Sequence, residues 1–191
     1  MGGSNIITLT HNSANVDSFL GYDVYYRAFS TLSDATTARV TIENASNLNT
    51  ATPEGVLAQL TGTQGFKKMY LFSNATVSPT PLLSGASTYT IQLVNTSTTT
   101  NWYFYTDTNP TAHIELVRGT GSGECFNAGY SVGTSDYTSS DSLSKSSGQN
   151  VFIVAFAVAY GYDFTKLQSI YSFPASLGQV LWDATYGYPL P

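Results

Sequence analysis

The sequence predicts an all-β protein, an antiparallel β-sandwich, and three observations carry that expectation. The first is residues 151–160, VFIVAFAVAY, the longest apolar run in the chain, bracketed by Gly148 and Gly161. A membrane-spanning helix needs about 20 such residues, so the run is too short to cross a bilayer. Its Val, Ile and Phe favour a strand apolar on both faces over a buried helix, although periodicity alone does not separate the two in so short a run. The second is composition. Charged residues make up only 10 % of the chain, against about 25 % on average. Thr, Ser and Asn take the surface positions instead, residues that suit pleated strands and turns. The third is period-two patterning in two further segments: one apolar and one amphipathic face in 19–29, and clean alternation of apolar and polar residues in 88–94.

Each element follows in order. Residues 6–10 read as a first strand and 12–17 as a polar turn. In FLGYDVYYRAF, residues 19–29, Tyr22, Val24, Tyr26 and Ala28 share an apolar face. Asp23, Tyr25, Arg27 and Phe29 share the other, where an Asp23–Arg27 pair would be solvated and worth little. ARVTIE at 38–43 reads as a strand. Thr52-Pro53-Glu54 starts a short helix, with Thr as N-cap, Pro in the first turn and an acid near the positive end. Val56, Leu57 and Leu60 give it an apolar stripe, and Gly62 can end it. Residues 66–72 read as a strand and 73–87 as a loop. In TYTIQLV, Tyr89, Ile91 and Leu93 point inward. Residues 102–105 and 112–117 form a hairpin around Asp107-Thr108-Asn109-Pro110. The Gly/Ser/Thr-rich segment 119–148 is a long surface loop or a pair of ragged edge strands. Residues 169–173 are a strand, and 177–191 form a tail that is aromatic enough to fold back on the sandwich.

Three of these segments carry a resemblance. GYDVYYR at 21–27 resembles the third strand of fibronectin type III domains, whose pattern is G-Y-x-V-Y-Y-R. The run at 151–160 resembles the sixth strand, and SIYSFP at 169–174 the last, which often ends in Ser-x-Pro. GYDFTKLQ between them fits the connecting loop. The segments GYDVYYR, AYGYD and YSFP are also similar to ones in spirochaete-type surface lipoproteins. The resemblance implies an immunoglobulin/fibronectin type III-like frame within a single domain, 1–191. The frame strands fall at about 5–42 and 149–178, and residues 43–148 are an inserted strand region with one short helix. A type III domain is about half as long, and its core Trp before the third strand is absent here, with Phe19 nearest.

Chemistry is sparse. A zinc site takes several His or Cys at tight spacing, and His11, His113 and Cys125 are not clustered. One of only two histidines would have to act as base in a Ser-His-Asp or Cys-His centre, and neither lies near a nucleophile motif. Gly119-Thr120-Gly121-Ser122-Gly123 lacks the Lys of a phosphate loop, and Asp136 and Asp141 lack the dense acidic spacing of a calcium loop. No catalytic, cofactor or metal site is assigned. Seven Lys and Arg and a net charge of −5 exclude nucleic acid as a partner. The contact surface expected is aromatic: Tyr103, Tyr105, Tyr130, Tyr137, Tyr186 and Tyr188, set against a glycan or a protein. No apolar leader follows Met1. Gly2-Gly3-Ser4-Asn5 is similar to the spacer behind a lipoprotein's lipidated cysteine. Two readings follow, a cytosolic chain or one that starts after a removed export signal, and composition favours the second. The expectation is a non-enzymatic, exported, lipid-anchored envelope or outer-membrane protein with a binding or structural role. The alternative is a carbohydrate-binding module.

Overall fold

The apolar decapeptide folds as the middle of the longest strand, β10 (Asn150–Asp163). Side chains alternate across a strand, and here both sides are interior. Val151, Ile153, Ala155 and Ala157 join one buried cluster, while Val154 and Phe156 join another. The computed structural model describes residues 6–10, 18–71, 81–84, 88–93, 102–106, 109–120, 126, 130, 132–139, 150–183 and 188–189. Over these the chain is mostly antiparallel β, with two helices.

The GYDVYYR segment lies in β2 (Phe19–Phe29), which runs antiparallel to β10 from Phe29↔Phe152 to Phe19↔Gly161. On the other side of β10 lie β11 (Gln168–Tyr171) and β12 (Ala175–Asp183), the latter followed by β13 (Tyr188–Pro189). The far edge of β2 is met by three short strands. These are β5 (Leu83–Ser84), β3 (Lys67–Lys68) and, in parallel, β9 (Tyr137–Thr138). A second antiparallel sheet has the order β1 (Ile6–Leu9), β6 (Tyr89–Leu93), β7 (Trp102–Thr106), β8 (Asn109–Val117), β4 (Tyr70–Leu71). Its Leu9, Tyr89, Ile91 and Leu116 share the first cluster with Val24, Tyr26 and Ala28 of β2.

The segment expected as one strand at 66–72 passes between the sheets. Lys67–Lys68 pair with β2 and Tyr70–Leu71 with β8. Met69 is buried at the crossing, its N–H donating to the Val24 carbonyl at 2.8 Å. The hairpin expected around 107–110 is β7–β8, with Thr106 opposite Asn109.

Residues 38–43 are not a strand. They lie within α1 (Leu32–Ser46). The run is rich in β-branched residues, which favour strands, but two local features select the helix. Thr31 caps it, its Oγ1 accepting from the Asp34 N–H at 3.1 Å. Ala35, Ala38 and Ile42 then fall on one stripe. That stripe meets Phe29, Phe66, Val154 and Phe156, together with Val56 and Leu60 from the second helical segment. This segment begins as α2 (Pro53–Ala58) with Thr52 as its cap, as the sequence predicts, and continues through a π-helical turn to Thr63. Side chains of the second sheet thus share a buried cluster with one side of the large sheet, and helices pack over part of the other side.

Candidate functional site

The helices stop short of one end of that side. Strand register fixes what is left. Tyr25 stands opposite Phe156, Asp23 opposite Val158, Tyr160 opposite Tyr171, and Tyr162 opposite Ser169. Paired residues share a face, so Tyr25, Val158, Tyr160, Tyr162, Ser169 and Tyr171 continue the face that α1 covers at Phe29, Val154 and Phe156. Val158 is buried, while the four tyrosines are half-buried. Tyr160 and Tyr171 stand with ring centroids 5.6 Å apart, and the Tyr160 hydroxyl and Ser169 Oγ share a hydrogen bond at 3.0 Å. Burial pushes the Tyr25 phenol up, and Asp23, Tyr171 and Tyr70 add to the shift, so its hydroxyl stays protonated. The result is a strip of aromatic faces with hydroxyl tips, able to stack on a ligand ring and hydrogen-bond at its rim.

The charges near this strip are already engaged. Asp23 is buried, 2.8 Å from Lys68 Nζ, and accepts from the Leu82 N–H at 3.0 Å. It does not pair with Arg27, because β2 meets a different neighbour at each position. The Arg27 guanidinium donates to the Gln64 carbonyl and lies over Phe29, 5.6 Å from the ring centre. Gly65, at φ +64°, leaves room for it: a Cβ there would stand 2.7 Å from Arg27 Nη1. Burial lowers the Arg27 pKa. This arginine lines a shallow cleft of about 220 Å³ with Phe29, Asp34, Thr37, Ala38, Gln64 and Thr138.

Deeper in, Arg118 and Asp136 form a fully buried ion pair, Nε to Oδ2 and Nη2 to Oδ1, both at 2.7 Å. The Tyr26 hydroxyl donates to Asp136 Oδ2 at 2.5 Å and accepts from the Gly119 N–H at 3.0 Å. Arg118 lies over the Tyr130 ring, 4.1 Å from its centre. Asp136 therefore gives both carboxylate oxygens to a guanidinium and a phenol; Asp141 lies outside the described residues.

Of the tyrosines expected at the surface, Tyr130 and Tyr137 are interior. Their polar, glycine-rich segment suggested exposure, but Asp136 and the Ala28 N–H, which donates to the Asp136 carbonyl at 2.9 Å, draw it against β2. Tyr103 and Tyr105 lie on β7, opposite Gln92 and Thr90, and Tyr188 on β13, opposite Asp183. Their side chains, and Tyr186 altogether, lie outside the described residues. The structure brings together a different set, Tyr25, Tyr160, Tyr162 and Tyr171. The signal available for it was the tyrosine at every second residue in AYGYD, which puts 160 and 162 on one face of a strand. No protein-family model, curated protein or solved structure matches the chain.

Proposed function

We propose that this chain is a non-enzymatic binding module of the cell envelope, exported and held there by an N-terminal lipid. Its frame is a β-sandwich of the fibronectin type III kind. The order β2–β10–β11/β12 supports that frame, since the third, sixth and last strands of such domains are neighbours in one sheet. The low charge content and the Gly/Ser-rich start support export and anchoring. Radiolabelled palmitate supplied to cells making the native protein tests the anchor, and an unlabelled protein overturns it.

The ligand class that the geometry favours is a glycan, and the half-buried row Tyr25, Tyr160, Tyr162 and Tyr171 carries the reading. Sugars present an apolar ring face edged with hydroxyls, and this strip offers the complement. A glycan array with the wild-type chain and with Tyr160→Ala and Tyr171→Ala tests it. Binding by the wild type that falls about tenfold in either variant is expected, the loss of one good stacking contact. Silence across all glycans, or binding unchanged in both variants, removes the sugar reading.

A further inference from the structure

The hairpin joining β10 to β11 reaches past its neighbour. Gly161 is the last residue of β10 in register with β2, the Tyr162 N–H still donates to the Ser18 carbonyl just before β2 at 3.1 Å, and Asp163 pairs with β11. At the apex, Phe164 and Leu167 are 69 % and 73 % exposed, the most exposed large apolar side chains among the described residues. Single exposed apolar residues are ordinary, but this pair comes with three further features. The turn is fixed: Asp163 Oδ1 accepts from the Thr165 N–H at 2.8 Å and the Lys166 N–H at 3.1 Å. Leu167 sits at φ +53°, a conformation that favours Gly or Asn, so a leucine is held outward where a polar turn residue would be easier. Among the described residues the charges at the apex are Asp163 and Lys166, which stand 3.8 Å apart and offset each other.

Behind the apex the side chains change in order of depth. The Tyr162 ring packs edge-on against Phe164, centroids 5.1 Å apart. Tyr162 thus lies one ring contact behind Phe164, and Tyr160 with its partner Tyr171 lies roughly 7 Å further back along the strand, at about 3.3 Å per residue. Apolar tip, no net charge, then a tyrosine collar is the zoning of a segment that enters a bilayer interface. Apolar groups there reach about 5–10 Å into the headgroup–acyl boundary, and tyrosines sit at headgroup level. We infer that this hairpin tip inserts shallowly into the interface of a zwitterionic lipid bilayer, with Phe164 and Leu167 as its anchors. Charge points the same way, because a chain of net charge −5 is repelled by an anionic surface. The inference does not depend on the glycan reading.

The test is co-sedimentation of the unlipidated chain with phosphatidylcholine vesicles, for the wild type and for Phe164→Ser/Leu167→Ser. Both residues are exposed, so the double variant folds, which circular dichroism and an unchanged Tm confirm. Expected is vesicle binding by the wild type that drops about tenfold or more in the variant. Phe164→Trp is expected to keep binding and to have its fluorescence quenched by lipids brominated near the headgroup. No wild-type binding, or equal binding by the double variant, overturns the proposal. So does a wild type that is dimeric in solution while the double variant is monomeric, which makes the tip a contact between copies.

Discussion

Tyr26 shows how one side chain can serve two neighbours when it is buried. Its hydroxyl donates to Asp136 and accepts from Gly119, and its ring packs edge-on against Phe126 with centroids 4.7 Å apart. Burial, then the adjacent Asp136 charge and hydrogen bond, hold its pKa well above the ordinary 10.0. The neutral phenol is therefore favoured in the folded state. The stability this gives is full below about pH 10, the pKa of the unfolded tyrosine, and is lost as pH rises above it. The urea midpoint is expected to be flat on this account from neutrality to about pH 10 and to fall beyond it. Tyr26→Phe should cost about 1–3 kcal/mol at neutral pH by removing a charge-assisted hydrogen bond to Asp136 and the acceptor of the Gly119 N–H, and the alkaline decline should be shallower. An equally steep decline in the variant would show that Tyr26 is not the group responsible.

At the scale of elements, β10 and α1 make opposite cases. β10 could be read from sequence because Val, Ile, Phe and Ala without polar interruption have only one comfortable place, buried on both faces. The second helical segment was equally plain from Thr52-Pro53-Glu54. α1 was not, because Thr36, Thr37, Val40, Thr41 and Ile42 favour strands. Helix geometry wins there through its cap and through the Ala35, Ala38 and Ile42 stripe, which fills the hollow above Phe29 and Phe156. Thr31→Ala removes the side-chain acceptor for the Asp34 N–H and should lower stability by about 1 kcal/mol. Denaturant melts can resolve that, with Thr31→Asn expected to restore it. If Thr31→Ala leaves the midpoint unmoved, packing alone holds the helix.

At the scale of the molecule, the Arg118–Asp136 pair joins the two sheets. Arg118 follows β8 in one sheet, and Asp136 precedes β9 on the edge of the other. Buried ion pairs are weak sources of net stability but costly to break on one side. Arg118→Met should therefore cost about 3–5 kcal/mol, while Arg118→Met with Asp136→Leu should recover much of that loss. Equilibrium unfolding of both variants measures it, and a double variant worse than the single would contradict this account. Much of the strand content could be read in sequence: β2 and β10 as strands, the β7–β8 hairpin and the inward Tyr89 and Ile91. The site was less legible. Tyr130 and Tyr137 looked like surface residues because Ser, Thr and Gly surround them, whereas Tyr160, Tyr162 and Phe164 looked like the end of a core strand and its loop.

By itself the sequence determined local matters: most of the runs that are strands, and where the second helical segment starts. Those follow from side-chain chemistry and spacing of a few residues, which short-range geometry converts directly into structure. Tertiary structure decided what covers each face. It put α1 over Phe156, took Asp136 inward to Arg118, and left the tyrosines of β10 and β11 at the open end. The physical reason is that burial depends on contacts between residues far apart in the chain, and no local pattern records where the covering layer ends.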